Sequence, residues 1–321
     1  MRYIVFGPGA IGGTIGGRLA AAGQQVVLVA RGDHLAALRA GGLRLITPDG
    51  EERPPVDVAG SVAEAAPGPD DVVILAMKTQ ATAAALADLG GAADPRTAVV
   101  CAQNGVENER LALRRFARTY GMCVVLPATH LDPGVVVQHA APVAGVLDIG
   151  CVPDGCDEAA GRIAADLTGA GFAAGAVTDV MRWKYTKLLA NLGNALDAAA
   201  GMGARRSDLY KRARAEGEAS LRAAGIAWAS REEEREHRAP MSALRAAGGI
   251  EHKGSSSWQS LARGTGDIEA DWLNGEVVLL GRLHGVATPV NEALARVANR
   301  MAAQGIPPGS LTLEDVEGEL R

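Results

Sequence analysis

Tyr3-Ile4-Val5-Phe6-Gly7-Pro8-Gly9-Ala10-Ile11-Gly12 decides the fold of this chain. An apolar run leads into a G-x-G-x-x-G turn, and a helix-like run follows it, Thr14-Ile15 and then Leu19-Ala20-Ala21-Ala22. The glycines alone say little in a chain with 41 of them among 321 residues; the strand before and the helix after give them meaning. Gly7 permits the tight turn, Gly9 lets a pyrophosphate approach the backbone, and Gly12 lets the helix pack on the sheet. The first-turn N–H groups, those of Ala10 and Ile11 among them, lie at the positive end of the helix dipole and suit phosphate. The stretch predicts a dinucleotide-binding domain.

The second strand, Gln25-Val26-Val27-Leu28-Val29-Ala30, bears on which dinucleotide. An NAD-selective fold places Asp or Glu at its end to bind the ribose hydroxyls. Here Arg31 stands there, followed by Gly32. A guanidinium pairs bidentately with a 2′-phosphate, which a carboxylate would repel. Asp33 lies beyond the strand and is expected to cap the next helix, near His34. The alternative reading of Arg31 is an ordinary solvated arginine. The expected cofactor is NADP(H).

Hydrophobic residues make up 48% of the chain and charged residues 21%, a globular composition long enough for two domains. A net charge of −5 argues against a general nucleic-acid or membrane-surface binder. No apolar run of about eighteen residues suggests a membrane span, and the first residues enter a strand rather than a secretory signal. Cys101, Cys123, Cys151 and Cys156 lack zinc-site spacing, so no metal is expected, and the protein reads as cytoplasmic.

Strands and helices alternate through the first half. Asp71–Met77 and Ala98–Ala102 read as buried strands, with helices at Ala81–Leu89 and Asn108–Tyr120. Continuous apolar runs joined by helices indicate a parallel sheet covered on both faces. Val135–His139 and Val146–Ile149 read as strands that close it, ahead of a helix at Asp157–Ala170. Beyond Thr178 the pattern is helical: Val180–Ala199, Ser207–Ala224, Glu232–Ala247 broken at Pro240, Asp267–His284 and Val290–Gln304. The expected architecture is α/β, with a Rossmann-type domain over residues 1–178 and an all-helical domain over 179–321. Substrate is then expected in the cleft between them.

Four polar clusters stand where such a fold puts ligands. Lys78 ends one strand, in Ala76-Met77-Lys78-Thr79-Gln80, and Asn104 ends the next, in Gln103-Asn104-Gly105-Val106-Glu107-Asn108. Loop polarity and helix capping would also account for each. Trp183-Lys184-Tyr185-Thr186-Lys187-Leu188-Leu189-Ala190-Asn191 puts Lys187 and Asn191 at i,i+4, on one face of a helix. The fourth cluster is Ser255-Ser256-Ser257-Trp258-Gln259, followed by Ile268-Glu269-Ala270-Asp271-Trp272-Leu273-Asn274. On a regular helix Glu269 and Asp271 cannot both face one site, and the apolar pattern does not choose between them.

In their order and spacing these landmarks resemble the ketopantoate reductase (2-dehydropantoate 2-reductase) family over essentially the whole chain. The matching stretches are GPGAIGGTIGGRL, the arginine after the second strand, AMKTQ, AQNGVEN, the W…K…N helix and IEADWLNGEVVLLGRLHGVATPVN. The resemblance implies NADPH-dependent reduction of a 2-oxo acid to a 2-hydroxy acid, ketopantoate to pantoate in pantothenate biosynthesis. Carried over, Gly7, Gly9 and Gly12 would hold the pyrophosphate and Arg31 the 2′-phosphate. Lys78 and Asn104 would contact the cofactor, Lys187 would be the catalytic lysine, and Glu269 its acidic partner. Asn191 and Ser257 would bind substrate. The residue types suit the reaction, since a ketone receiving hydride develops negative charge on oxygen and needs a nearby cation or proton donor.

The chain also departs from the family pattern. The family tryptophan usually stands two residues before the lysine; here Trp183 is four before Lys187 and one before Lys184, so Lys184 rivals Lys187 as donor. A second asparagine usually falls eight after the lysine, where this chain has Ala195, with Asn194 beside it. Trp258 and Trp272 replace smaller groups, and the charged segment Ser230–Ala239 is an extension. These departures surround the expected substrate site, not the cofactor site. Alternative readings are a reductase of another bulky 2-oxo acid, an opine-type dehydrogenase and a non-catalytic NADP(H) sensor. The expected partner is a small 2-oxo acid, with no nucleic acid or membrane; a homodimer is left open.

Overall fold

The structure, a computed structural model, describes residues 1–241, 243–264 and 266–320. In chain order the first elements are β1 (Arg2–Phe6), α1 (Ala10–Ala21), β2 (Gln25–Val29), α2 (Gly32–Gly41), β3 (Arg44–Thr47), β4 (Gly50–Glu52), β5 (Asp57–Ala59) and α3 (Val62–Ala65). There follow β6 (Val72–Leu75), α4 (Thr82–Ala92), β7 (Ala98–Cys101), α5 (Glu107–Leu113), β8 (Thr119–Val125), β9 (Ala128–Thr129), β10 (Val135–Gln138), β11 (Ala140–Ala141), β12 (Val146–Cys151) and α6 (Glu158–Gly169). The remainder is α7 (Val180–Asn191), α8 (Asn194–Ala200), α9 (Asp208–Ala223), α10 (Arg231–Arg238), β13 (Ala243–Leu244), α11 (Ser256–Ala262), α12 (Asn274–His284), α13 (Pro289–Gln304) and α14 (Leu313–Gly318).

The chain divides into two compact units: residues 1–184 with 230–252, and residues 185–229 with 253–320 among those described. The division falls inside α7, after Lys184, and the segment 230–252 belongs to the first unit rather than to its sequence neighbours.

A seven-stranded sheet in the order β12-β8-β7-β6-β1-β2-β5 organises the first unit. All its pairings are parallel except β12 with β8. Alternate residues of β1 enter two different cores: Tyr3 and Val5 pack with Ile15, Leu19 and Leu28, while Ile4 and Phe6 pack with Val29, Val73 and Leu86. Both faces are covered, as the continuous apolar runs require. Of the two closing strands expected, only β12 joins this sheet. The other, β10, pairs with β3 and β9 in a separate four-stranded sheet, order β4-β3-β10-β9.

The second unit is all helical. Leu196, Leu209, Leu294, Val297 and Met301 form its main core, and Leu189, Leu192, Leu221, Val277 and Leu280 a second one. Four expected helices are corrected. In the first unit Asn108–Tyr120 is the seven-residue α5, which ends at Leu113, and Thr119 and Tyr120 open β8. Val180–Ala199 is two helices, since Leu192-Gly193 separates α7 from α8. A side chain at Gly193 would meet the Tyr210 ring at 3.1 Å. Asp267–His284 begins as a short 3₁₀ turn, Ala270–Trp272, before α12. Glu232–Ala247 is the eight-residue α10 followed by β13, which pairs with β11. Among the described residues no helix is long and apolar enough to cross a membrane.

Candidate active site

The glycine turn has the geometry its motif calls for. Gly7 has φ +87°, and a Cβ there would lie 2.8 Å from the backbone nitrogen of Met77, just past the end of β6. A Cβ on Gly12 would lie 2.6 Å from the Gly7 carbonyl and 2.8 Å from Ala76, so only hydrogen lets α1 sit this close to the sheet. At Gly9 the nearest atom to such a Cβ is 3.8 Å away, on His130, which leaves room above the backbone. The first-turn N–H groups of Ala10, Ile11 and Gly12 have no intrahelical acceptor. This cradle fits a pyrophosphate.

His34 and His130 flank the turn. His34 Nε2 donates to the Pro8 carbonyl at 2.8 Å, and its Nδ1 accepts from Gly134 N at 2.9 Å. The ring is thus held neutral, and burial lowers its pKa. His130 Nδ1 donates to the Val135 carbonyl at 2.9 Å, and the two imidazoles lie 4.5 Å apart.

Arg31 is the N-cap residue of α2, not Asp33, which stands in the first turn. Its exposed guanidinium donates to Asp88 at 2.9 Å and lies 5.8 Å from the Phe6 ring centroid. Lys78 and Asn104 occupy neighbouring strand ends, those of β6 and β7, which pair in parallel. Both are half-buried. Lys78 precedes a 3₁₀ turn, Thr79–Ala81, and its carbonyl accepts from Ala81 N at 2.9 Å. The Asn104 carbonyl accepts from Asn108 Nδ2 at 3.1 Å and from Thr79 Oγ1 at 3.5 Å, which ties the two loops together.

Lys184 and Lys187 lie in different surroundings. Lys184 is only 3% exposed and ion-paired to the fully buried Glu109; it also donates to the carbonyls of Cys101 and Gln103 at 3.3 and 2.9 Å. Burial raises the Glu109 pKa, opposed by the Lys184 ammonium. Lys187 is half-buried and stands one turn before Asn191 on α7, in the second unit.

In the second unit, three segments that carry expected site residues meet around the break between α7 and α8. Asn274 Nδ2, at the start of α12, donates to the Leu192 carbonyl at 3.1 Å, next to Asn191. Asp197 on α8 accepts from the backbone of Ser255, and Asn194 donates to Ser256 Oγ at 3.4 Å. These bonds seat the first turn of α11, where Ser257 is buried. Asn194 also accepts from Arg205, so it is engaged in building the unit. Helix-wheel arithmetic from Lys187 to Asn194 does not apply, because the helix breaks between them. Trp258 packs against Gly254, whose φ is +62°.

Glu269 is half-buried and stands at the N-cap position of the 3₁₀ turn, with no side-chain capping bond, rather than riding a helix face. The spacing argument that set Glu269 against Asp271 therefore does not hold. Asp271 instead accepts from Asn299 at 2.6 Å on the surface. Arg263, which the sequence reading passed over, feels both Glu269 and Asp267; its own burial lowers its pKa.

The displaced tryptophan and the charged extension form one contact. Trp183 stacks on His237 of α10, with ring centroids 4.2 Å apart, and His237 bonds to Asp148 of β12. Arg182 pairs with Glu233 at 2.7 Å, which holds that carboxyl down at about 2. Ser230–Ala239 thus belongs to the first unit, whereas the serine cluster belongs to the second. Among the described residues no cluster of His, Cys, Asp or Glu has metal-site geometry.

Residues 3–154 match the family described as ketopantoate reductase PanE/ApbA, and residues 179–302 match its C-terminal domain. A 2-dehydropantoate 2-reductase of Mesorhizobium japonicum is 31% identical over 95% of this chain and 98% of its own. One from Halobacterium salinarum is 32% identical over 94% and 99%. A PanE/ApbA family ketopantoate reductase structure from Ralstonia eutropha superposes with a TM-score of 0.80 at 26% identity, covering 95% of this chain and 99% of that one. D-mandelate dehydrogenase, in a ternary structure with NADH and anilino(oxo)acetate, shares the fold with a TM-score of 0.79 at 20% identity, over 95% and 99%. Glycine cradle, paired strand-end loops and helical second unit agree with these matches: the chain belongs to the ketopantoate reductase family, oxidoreductases that reduce 2-oxo acids with a nicotinamide dinucleotide.

Proposed function

We propose that this protein reduces ketopantoate to pantoate with NADPH, with the first unit, residues 1–184 and 230–252, serving the cofactor and the second unit the oxo acid. The observation that carries the reading is the cradle of Gly7, Gly9 and Gly12 beside the joined loops of Lys78 and Asn104. Bound nicotinamide would supply the hydride. The chain's own residues bind, orient and protonate. Ala10 and Ile11 N–H groups hold the pyrophosphate, Arg31 the 2′-phosphate, and Lys78 and Asn104 the nicotinamide half.

Lys187 delivers the proton to the developing alkoxide and stabilises its charge, and Glu269 orients the ammonium or the product hydroxyl. Lys184 is unsuited to this role, since its three N–H groups are already committed inside the first unit. Asn191 and Ser257 donate to the substrate carboxylate and carbonyl. Four free thiols fit a reducing, cytoplasmic setting. A homodimer is the assembly to test, because a dimeric ketopantoate reductase from Staphylococcus aureus shares the fold (TM-score 0.68, 17% identity).

The test is NADPH consumption, followed by absorbance, across ketopantoate and bulkier 2-oxo acids, with NADH in parallel. Fastest turnover on ketopantoate supports the proposal. Preference for a larger acid would assign the chain to the related-reductase reading, with Trp258 as the first residue to examine. NADPH binding without turnover of any acid would make it a sensor.

A further inference from the structure

Lys184 anchors a loop that the proposed reaction depends on. Its acceptors bracket one short stretch: Cys101 ends β7, Gln103 immediately precedes Asn104, and Glu109 lies on α5. Gly121, in β8, packs against the start of α7: a Cβ there would lie 3.2 Å from Val180 Cγ1 and 3.4 Å from Lys184 Cδ. From Gln103 a buried network continues outward. Gln103 Nε2 donates to Thr82 Oγ1 at 2.9 Å, Thr82 donates to Asn108 Oδ1 at 2.7 Å, and Asn108 Nδ2 donates to Thr79 Oγ1 at 3.2 Å. Thr79 directly follows Lys78. One ammonium, neutralised by one buried carboxylate, therefore underlies both loops assigned to the nicotinamide half.

Fold stability alone does not require an ion pair here. A well-packed apolar pair of similar volume often serves as well or better, because burying two charges is costly. What an apolar pair cannot do is donate to two carbonyls aimed at one point.

We propose that Lys184 is a positioning residue for cofactor binding: its ammonium fixes the Cys101–Gln103 backbone so that Asn104, and Lys78 through Thr79, are held ready for the dinucleotide. This rests on the reading of Lys78 and Asn104 as cofactor contacts, but not on the identity of the oxo acid.

The test uses the full chain, NADPH titration calorimetry and thermal melting. Lys184→Met/Glu109→Leu removes both charges and both carbonyl bonds, whereas Lys184→Gln/Glu109→Gln keeps one short donor. The expected result is a melting temperature near wild type in the first variant with NADPH affinity reduced tenfold or more, and a smaller loss in the second. In a Lys78→Ala/Asn104→Ala background the same double change should cost less than twofold, because both groups it positions are gone. NADPH affinity within twofold of wild type, in whichever charge-free variant folds, would overturn the proposal, as would fully additive losses with Lys78→Ala/Asn104→Ala. If wild-type protein binds NADPH but turns over no oxo acid, the reductase reading fails and this inference stands.

Discussion

The dinucleotide preference can be tested at one exposed ion pair. Arg31 is held by Asp88 at 2.9 Å, with the two side chains 66% and 53% exposed. An exposed pair of this kind contributes about 0.2–1 kcal/mol. A charge-assisted bond to a 2′-phosphate contributes about 1.5–3 kcal/mol. Arg31 must leave Asp88 or share itself with the phosphate, so the net preference for NADPH is about 0.5–2.8 kcal/mol, roughly two- to a hundredfold. Arg31→Ala should cost NADPH that much affinity and leave NADH nearly unchanged. Asp88→Asn should act in the opposite direction, tightening NADPH by up to about fivefold by freeing the guanidinium and removing a charge that repels phosphate. Titration calorimetry with both cofactors at one fixed ionic strength reads both effects, and salt must be held constant because exposed charges are screened within about 8 Å at 0.15 M. Equal losses for NADPH and NADH in Arg31→Ala, or weaker NADPH binding in Asp88→Asn, would refute the reasoning.

Four further outcomes are expected. Lys187→Ala should lower kcat by about a hundredfold or more with NADPH affinity retained, as for a lost acid catalyst; Lys184→Ala should instead cost about 3–5 kcal/mol of stability by leaving Glu109 buried without its partner, seen in a denaturant midpoint. Ser257→Ala should raise KM for the oxo acid with little change in NADPH affinity, measured by steady-state kinetics beside calorimetry. Glu269→Ala should impair turnover far more than Asp271→Ala, whose carboxylate is already bound to Asn299; the reverse order in steady-state rates would remove Glu269 from the site. Burial, with neighbouring His252, pushes the His139 pKa down to about 4, so the unfolded chain takes up the proton more readily. Stability is therefore complete above about pH 6.5 and falls as pH drops towards 4, by about 2 kcal/mol at pH 5. His139→Gln should flatten that part of a melting profile.

Much of the cofactor half was legible because its determinants are local. A strand, three glycines and a helix start lie within ten residues; Gly12 is demanded by the Gly7 carbonyl of the same turn and Gly7 by Met77 just past the end of the adjoining strand, while Gly9 leaves open space above the backbone. The placing of Lys187 and Asn191 on one helix face was equally local, resting on helix geometry alone. The segment after Gly266 was read less well. Its sequence looks helical, yet Glu269 stands at the N-cap position of a 3₁₀ turn, and the choice between it and Asp271 could not come from a helical period that does not exist there. The burial of Lys184 and its pairing with Glu109 were out of reach altogether, since its acceptors lie 75 to 83 residues away in sequence.

By itself the amino-acid sequence determined the alternation of strands and helices and the glycine turn, because these follow from backbone permissiveness and hydrophobic period over a few residues; the family resemblance rested instead on the order and spacing of motifs along the whole chain. Tertiary structure decided which lysine is fully buried and which half-buried, and that Trp183 and the segment Ser230–Ala239 meet each other at His237. It also decided that Asn194 seats the serine turn. The physical reason is that the state and task of a polar side chain depend on which distant groups take it out of water, and only the folded chain brings those groups together.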